Sequence, residues 1–193
     1  LERGRFAPCD VFHRPETLQK GIALSGSDAY GRYGNGGQAF VFVNGVDEAF
    51  KVTIELQDAG VLAAVVTGES DSADRAETMA AFRAGRLRAL VNVFVCTEGT
   101  DVPAADVCIL ARSVGHASTY LQMVGRVLRT APGKKQARLI DLTGAVLAHG
   151  LPTSDREYSL TGNAIGVTKG GRSLRVCLQC GMTWESKGKP GCP

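Results

Sequence analysis

The sequence lacks the patterns that mark several large classes of protein. No apolar run in its 193 residues approaches the roughly 18 needed to span a bilayer, and the N-terminus has no secretory apolar region. There is no Gly-x-x-x-x-Gly-Lys-Ser/Thr phosphate loop, no Asp-Glu-x-His/Asp box and no Gly-x-Ser-x-Gly elbow. The 3 histidines lie far from any plausible nucleophile. We therefore expect a cytoplasmic protein without membrane contacts, a complete phosphate-binding motif or a hydrolase triad.

Cysteine is scarce outside the end of the chain. Of 6 cysteines, Cys96 and Cys108 fall in strand-like apolar runs, where a reduced thiol behaves as a small hydrophobe, and Cys9 is isolated. The other three cluster near the C-terminus: Cys177, Cys180 and Cys192. Their Cys-x-x-Cys spacing lets two thiolates meet one Zn²⁺ tetrahedrally. Because no fourth ligand follows, we expect a zinc site that is incomplete in this sequence.

Composition is that of an ordinary globular protein, with 44% hydrophobic and 21% charged residues. A formal net charge of +3 is too small to identify a nucleic-acid partner. The basic residues are unevenly spread, however, and one short segment collects Arg126, Arg129, Lys134, Lys135 and Arg138.

Between residues 38 and 142, short apolar runs alternate with stretches of helical periodicity. Strands are predicted at 39–43, 62–66, 88–95, 107–111 and 137–142, and helices at 46–59, 70–85 and 120–129. This alternation predicts an α/β fold, a parallel sheet flanked by helices. The residues expected to face the sheet are Val46, Ala49, Phe50, Ile54 and Leu56 in the first helix and Ala76, Met79 and Phe82 in the second.

Outside this region the periodicity fades. Proline and glycine interrupt residues 1–37, which predicts an irregular linker between lobes, tied down by aromatic side chains. We expect one lobe over 38–145, a linker that crosses its surface over 146–173, and a separate cysteine-rich tail over 174–193.

The third predicted helix carries the strongest chemical signal, Gln122-Met-Val-Gly125-Arg126-Val-Leu-Arg129. At roughly 100° per residue, Gln122, Arg126 and Arg129 share one face. The apolar residues of the opposite face are Tyr120, Val124 and Val127. Gly125 flanks the polar face and allows close approach to the backbone. Two guanidinium groups beside a small residue suit a polyphosphate, although this helix alone favours an amphipathic helix with solvated arginines.

The loop after the predicted strand 88–95 is the second polar segment. It reads Thr97-Glu-Gly99-Thr-Asp101-Val-Pro103 and offers hydroxyls, carboxylates and a glycine backbone. Ligands of open α/β sheets bind beyond the carboxyl ends of the strands. Because the arginine helix follows the next strand, we expect both segments at that edge of the sheet. Their order and spacing together favour a phosphate-binding site.

These segments resemble the motifs of the second RecA-like lobe of superfamily 2 DEAD/DEAH-type helicases and nucleic-acid translocases. The segment Gln122–Arg129 is similar to motif VI, Thr97–Pro103 to motif V, and Phe40–Asn44 to motif IV. The pattern that follows motif IV is matched by Thr67-Gly68, Arg75 and Phe82. The likeness covers about residues 38 to 142 and implies a RecA-like fold.

The resemblance implies a role for each matching residue. Arg126 and Arg129 would act as arginine fingers on the γ-phosphate of ATP, which a first lobe holds with Mg²⁺, while Gln122 would position nucleotide or couple the lobes. The residues implied at the nucleotide are Gly99, Asp101 and Gly125. The residues implied at the nucleic-acid backbone are Thr97, Asn44 and Arg75, and for the last two a structural role is equally open.

The end of the chain narrows the resemblance. Residues 139–152 followed by Cys-x-x-Cys resemble RadD-type bacterial helicases and their phage relatives. This implies DNA as the nucleic acid, a role in DNA repair and a C-terminal zinc ribbon. The basic residues around Trp184 suit either a contact with nucleic acid or protein, or simple solvation.

The missing motifs qualify the expected activity. Without a phosphate loop, the chain alone is not expected to hydrolyse ATP, and it would supply half of a composite site to an N-terminal lobe. Because it starts at Leu1 and stops one residue after Cys192, we expect a fragment of a longer protein. The alternative is a non-catalytic module that binds nucleic acid or a protein partner through a zinc ribbon. A free-standing enzyme using Cys96 or Asp101 has little support.

Overall fold

The computed structural model describes residues 7–13, 25–93, 102–154, 156–157, 166–167, 173–186 and 192. Its strands are β1 (Cys9–His13), β2 (Ala39–Phe42), β3 (Ala63–Val66), β4 (Ala89–Asn92), β5 (Val107–Leu110), β6 (Ala137–Asp141), β7 (Arg156–Glu157), β8 (Gly166–Val167), β9 (Leu174–Val176) and β10 (Met182–Glu185). Its helices are α1 (Gly26–Ala29), α2 (Val46–Asp58), α3 (Ser72–Arg83), α4 (Ala117–Leu128) and α5 (Ala145–His149), with a π-helical turn over Tyr30–Gly34. Within these residues, no helix has the length and apolar character that crossing a membrane requires.

The main sheet is parallel over the region where the sequence predicted a parallel sheet. Its strand order is β3-β4-β2-β5-β6-β1-β10-β9, and strands β1 to β6 all run in one direction. Strands β2, β4 and β5 are buried at every residue, because helices cover both faces. The α/β sheet flanked by helices is therefore confirmed. Strands β7 and β8 form a separate two-stranded ribbon.

Two apolar layers hold the helices on the sheet. Successive side chains of a strand point to opposite faces, so Phe40 packs towards α3 and α4 whereas Val41 packs towards α2. On the first face, Phe40 meets Phe82 edge-on, with ring centroids 5.0 Å apart, and Tyr120 belongs to the same cluster. On the second, Leu56 of α2 is fully buried. Each such side chain contributes about 1.5–3 kcal/mol.

Residues 9–13 form a strand where the sequence predicted an irregular linker. Strand β1 pairs in parallel with β6, from Cys9 beside Ala137 to His13 beside Asp141. The sequence does not indicate this strand, because Val11 is its one buried apolar residue and prolines flank it. The predicted aromatic tether is confirmed for one pair, since Phe12 and Tyr33 stack with centroids 4.9 Å apart.

The predicted inner faces of α2 and α3 are wrong in part. In α2, Phe50 and Ile54 are 50% and 55% exposed, whereas Thr53 is buried. The Thr53 hydroxyl donates to the Ala49 carbonyl at 2.7 Å, which satisfies a polar group that the sequence places outside. In α3, Met79 and Phe82 are buried as predicted, but Ala76 is exposed.

The cysteine-rich tail continues the main sheet. Strand β10 pairs antiparallel with β1, and β9 pairs with β10. The His13 N–H also donates to the Gly181 carbonyl at 2.7 Å. We expected a separate small unit here, but this hairpin shares the hydrogen bonds of the lobe. The sequence shows no such link, because the partner strand lies at the other end of the chain. The domain boundaries themselves remain predictions.

A buried carboxylate shapes the turn after β6. Asp141 Oδ1 accepts from the N–H groups of Thr143 and Gly144 at 3.0 Å each, and Oδ2 accepts from the Val146 N–H at 2.8 Å. His13 Nδ1 lies 3.6 Å from Oδ2. Burial by itself raises the pKa of Asp141, but hydrogen bonds from His13, Val146 and Thr143 outweigh it and hold this pKa below its usual value. Helix α5 therefore starts from a charged anchor.

We expect Asp141→Asn to lower the free energy of unfolding by about 2 kcal/mol, because an amide nitrogen then faces backbone donors that a carboxylate accepts. The folded-state pKa is lowered, so the stabilisation is present above the unfolded pKa of about 3.9 and is lost as pH falls through the folded value. Urea unfolding of both proteins at neutral and acid pH measures this. The exposed Asp58→Asn is the matched control, and an equal loss at both positions would contradict the anchor.

Candidate nucleotide and metal sites

The helix that carries the two arginine candidates is α4. Its buried residues include Tyr120, Val124 and Val127, which the sequence predicted to face the sheet. On the other side, Gln122 is exposed and Arg126 is partly exposed. The predicted amphipathic arrangement of these residues is therefore confirmed.

The sequence predicted that Arg129 shares a helical face with Gln122, and this prediction is wrong. Helix α4 ends at Leu128, and the Arg129 backbone is extended, with φ −65° and ψ 139°. The helix ends before a turn in which Gly133 has a φ of 79° and the Lys134 N–H donates to the Ala131 carbonyl. Arg126 and Arg129 each make a contact within the chain and lie at most about 10 Å apart along the backbone.

Helix α4 runs from one edge of the sheet to the other. It starts after β5 at the carboxyl edge, where His149 Nε2 lies 2.7 Å from the Val114 carbonyl. It ends at the amino edge, where the Ala7 N–H, just before β1, donates to the Leu128 carbonyl at 2.9 Å. The end of α4 therefore lies near the amino edge, whereas we expected its arginines at the carboxyl edge. A helix of 12 residues rises about 18 Å, enough to cross the sheet.

The described end of the second polar segment contacts the turn that follows α4. Lys134 Nζ donates to the carbonyls of Pro103 and Ala105 at 3.0 and 2.6 Å. Val102 belongs to the same apolar cluster as Val127 of α4. The described end of this segment therefore lies beside the turn that follows α4, at the amino edge. Three predicted site residues lie outside the described residues: Thr97, Gly99 and Asp101.

Gly125 presents an open patch of backbone. A Cβ atom built on this residue would meet no atom of the described residues within 4 Å, so packing against these residues does not require glycine. The residue is partly exposed and lies between Gln122 and Arg126 on the helix. An external group can therefore approach the helix backbone at this point.

The two described candidates for nucleic-acid contact lie at the carboxyl edge. Asn44 follows β2 and is exposed, and its N–H donates to Glu48 Oε2 at 3.1 Å. Arg75 Nη2 donates to three carbonyls of the turn 67–70, at 3.2 to 3.3 Å. The Arg75 guanidinium therefore closes the turn after β3. Contact of either residue with nucleic acid stays a prediction.

Three thiols converge at the end of the chain. The sulfur atoms of Cys177, Cys180 and Cys192 all lie within 4.8 Å of one another, and those of Cys180 and Cys192 are 3.5 Å apart. The first two lie at the turn between β9 and β10. There Gly181 has a φ of 75° and its N–H donates to the Cys177 carbonyl at 2.8 Å. A cluster of this geometry can hold a metal ion.

The thiols of the cluster differ in acidity. Backbone N–H groups of Cys180 and Gln179 lower the pKa of Cys177 to about 7, so the thiolate forms near neutral pH. Hydrogen bonding with Cys180 raises the pKa of Cys192 to about 11. Outside the cluster, burial raises the pKa of Cys9 to about 12. A metal bound here would have to displace the proton of Cys192.

Sequence reasoning missed the supporting role of Lys134. It counted this residue only among the clustered basic residues, yet the side chain is half-buried and joins the turn after α4 to the carbonyls of Pro103 and Ala105. Burial lowers the pKa of Lys134, and Asp106 acts in the opposite direction. The one available signal was its position after Gly133, a residue whose positive φ marks the turn.

A known domain family matches this architecture. The family model described as "Helicase conserved C-terminal domain" covers residues 17–131, which include β2 to β5, all of α4 and both arginines. The chain belongs to this family.

Curated relatives of the helicase domain are longer proteins. The chain is 30% identical over 172 residues to the 51.5 kDa protein of a Lactococcus phage (isolate 7-9), and the match covers 88% of this chain and 38% of that protein. It is 38% identical over 78 residues to the DNA 3′-5′ translocase XPB2 of Sulfurisphaera tokodaii, covering 40% of this chain and 17% of that protein. The domain thus spans well under half the length of these relatives.

Solved structures share the fold of the helicase domain. A fragment assigned to the HsdR subunit of a type I restriction enzyme from Vibrio vulnificus YJ016 superposes with a TM-score of 0.65 at 22% identity, covering 78% of this chain and 35% of that one. The C-terminal domain of the DEAD-box protein Dbp5 gives 0.52 at 18% identity, covering 72% and 77%. The RecA-like fold is therefore confirmed.

We expect Gly125→Ala to leave the helicase domain folded and to raise its free energy of unfolding by about 0.5–1 kcal/mol, because alanine favours a helix and its Cβ would meet none of the described residues. Thermal denaturation measures the change. The matched control is Gly181→Ala, which should destabilise, since φ is 75° and the Cβ would lie 3.0 Å from the His13 carbonyl oxygen. A loss of stability in Gly125→Ala would show that the patch is not open.

Proposed function

We propose that this helicase domain is the second motor lobe of an ATP-dependent DNA helicase or translocase, and that Arg126 and Arg129 act on ATP held by a first lobe. The observation that carries this proposal is the end of α4, where an open glycine lies beside two arginines. Glycine inside a helix costs about 1 kcal/mol relative to alanine. Because packing against the described residues does not require Gly125, its presence supports close approach of a ligand.

The chemistry of phosphoryl transfer explains why arginines would serve at this position. Negative charge redistributes over the phosphoryl oxygens in the transition state. Guanidinium groups already in place stabilise that charge without reorganisation. Arg126 lies on the helix and Arg129 on the extended segment after it, so they can approach a phosphate from two directions. Gln122, one turn before Arg126, would position the nucleotide or couple the two lobes.

Chain connectivity supports a nucleotide contact by the second polar segment. Asp101 directly precedes Val102, which packs in the same cluster as Val127 of α4. Asp101 itself lies outside the described residues, and its contact with nucleotide is part of the proposal. Together with Gly99 and Gly125 it would line the cleft towards the first lobe. That lobe would supply the phosphate loop and most contacts to ATP and Mg²⁺, since these 193 residues contain no such loop.

The register of the sheet supports a nucleic-acid contact at the carboxyl edge. Phe42 of β2 and Val66 of β3 both pair with Asn92 of β4. The segments that follow these strands therefore start side by side. The first two carry Asn44 and the turn closed by Arg75, and Thr97 follows β4 in the sequence, outside the described residues. Contacts of this kind to the phosphate backbone fix position without reading sequence.

The names of two relatives support DNA as the substrate. The XPB2 relative is named as a DNA translocase, and the RecG relative from Acidithiobacillus ferridurans, 38% identical over 86 residues, as a DNA helicase. Relatives named as rRNA helicases are 31% identical over 94 residues. A RadD-type protein with a role in DNA repair agrees with this choice.

Paired with a lobe that carries a phosphate loop, this domain is expected to support DNA-stimulated ATP hydrolysis. Arg126→Ala and Arg129→Ala should each lower kcat about 100- to 1000-fold with a smaller change in KM, because the lost contact is made mainly in the transition state. Lys51→Ala, an exposed cation on α2, is the matched control. Steady-state kinetics and thermal melting separate catalysis from folding. Wild-type turnover in both variants would contradict the proposal that Arg126 and Arg129 act as arginine fingers.

The thiol cluster favours a second function. We infer that Cys177, Cys180 and Cys192 hold Zn²⁺ in a zinc ribbon, with a fourth ligand from outside this set. Three convergent sulfurs on a turn fixed by Gly181 fit the tetrahedral preference of the ion. A ribbon docked on β1 would give the lobe an added contact with nucleic acid or a protein partner. A purely non-catalytic module would use this contact alone and would not need the arginines of α4.

We expect the chain to bind one Co²⁺ or Zn²⁺ with visible thiolate–cobalt absorption. Removal of the metal should lower the Tm by several degrees, because β10 pairs with β1 of the main sheet. Cys180→Ser should weaken metal binding at least about tenfold, since it removes one of the thiolate ligands, whereas Cys9→Ser, outside the cluster, should not. Absence of cobalt absorption in the wild-type chain would rule out the site.

A further inference from the structure

We propose that the amino edge of the sheet is a second nucleic-acid-binding surface, which contacts the phosphate backbone away from the loops at the carboxyl edge. The proposal rests on the nucleic-acid binding set out above. The surface, called the basic edge here, consists of cations that precede or begin the parallel strands: Arg83, Arg86, Arg88, Lys134, Lys135 and Arg138.

The topology brings these cations together from two distant parts of the chain. Helix α3 ends at Arg83, and the turn after it leads through Arg86 and Arg88 into the amino end of β4. Strand β6 starts between Lys135 and Arg138. In the sheet, β4 and β6 are separated by β2 and β5. At about 4.8 Å per strand, the two groups lie roughly 14 Å apart on one edge.

Charges along the basic edge are close enough to influence one another. Tyr30 lies between the two groups, and its hydroxyl donates to the Gly37 carbonyl at 2.7 Å, just before β2. Burial raises the pKa of Tyr30, and Arg88 and Asp106 act on it in opposite directions. Asp106 also acts on the charge of Lys134. Tyr30 and Asp106 thus lie along the edge between the two groups of cations.

An open cavity of about 350 Å³ lies at the β6 end of the basic edge. It is lined by Asp106, Gly133, Lys134, Lys135, Gln136 and Arg138. Lys134 is engaged with two carbonyls and shapes the wall. The acids nearby are also engaged, since Asp106 accepts from the Gln38 N–H and Asp10 from the Gln136 amide. Lys135 is exposed at the rim, and Arg138 adds a fork suited to phosphate oxygens.

The exposed cations of this edge carry charge that no carboxylate in the described part of the chain pairs directly. Among the described residues, no ion pair involves Arg86, Arg88 or Lys135. Like charges gathered on one edge repel each other, and binding of a polyanion removes that repulsion. A nucleic-acid backbone supplies a row of phosphates over the 14 Å estimated above. Because the chain belongs to a helicase family, we commit to nucleic acid over an acidic protein segment.

The test is salt-dependent binding of the full chain to fluorescent oligo-dT, followed by anisotropy. The double variant R86A/K135A removes one exposed cation from each end of the basic edge. The matched control R32A/K51A removes two exposed cations from elsewhere, with the same change in net charge. We expect R86A/K135A to weaken binding about tenfold at low salt and to reduce the slope of log K against log salt by about 1.4, at about 0.7 per phosphate contact. The control should change binding less than about twofold.

Four results would overturn the proposal. Equal losses of oligo-dT affinity in the two variants would show an effect of net charge alone. Unchanged affinity in R86A/K135A would show that the basic edge does not contact the oligonucleotide. Loss of binding to polyglutamate with unchanged binding to oligo-dT would assign the edge to an acidic protein. If the wild-type chain binds no oligo-dT, the nucleic-acid role of the whole lobe fails as well. Circular dichroism melting confirms that each variant is folded.

Discussion

Burial of the central strands on both faces is the constraint on which this structure depends. Strands β2, β4 and β5 expose nothing, so each needs a helix or a long connection that covers a face and returns the chain to the amino edge. That requirement sorts the loops into two groups. Loops after strands carry Asn44 and the turn closed by Arg75, whereas loops before strands carry Lys134. Helix α4 joins the groups and brings Arg126 to the edge opposite Asn44.

Periodicity revealed the parts of the fold that depend on local sequence. The buried face of α4 follows from the spacing of Tyr120, Val124 and Val127, and the parallel sheet follows from alternation of apolar runs with helices. Strand β1 could not be predicted in this way, because its partner β6 lies more than a hundred residues away and only Val11 marks its inner face. The burial of Thr53 depends on a hydrogen bond that composition does not show.

The candidate site shows the same division. Residue types and spacing identified the arginines, the open glycine and the three cysteines. The prediction placed these arginines at the carboxyl edge, where α4 starts, although a helix between parallel strands returns the chain to the amino edge. Residue types and spacing also gave no role to Lys134, whose contacts with Pro103 and Ala105 join segments about thirty residues apart. Strand β1 joins the turn after β6 to the cysteine-rich hairpin, because His13 at its end contacts both Asp141 and the Gly181 carbonyl.

The most direct test of the account compares two affinities. A first lobe with a phosphate loop is loaded with MgADP, or with MgADP and fluoroaluminate as a mimic of the transferring phosphoryl group, and its binding to this domain is measured by calorimetry. If the arginines at the end of α4 act on the transition state, the fluoroaluminate complex should bind on the order of 100-fold more tightly. Equal affinity for the two complexes would contradict the account.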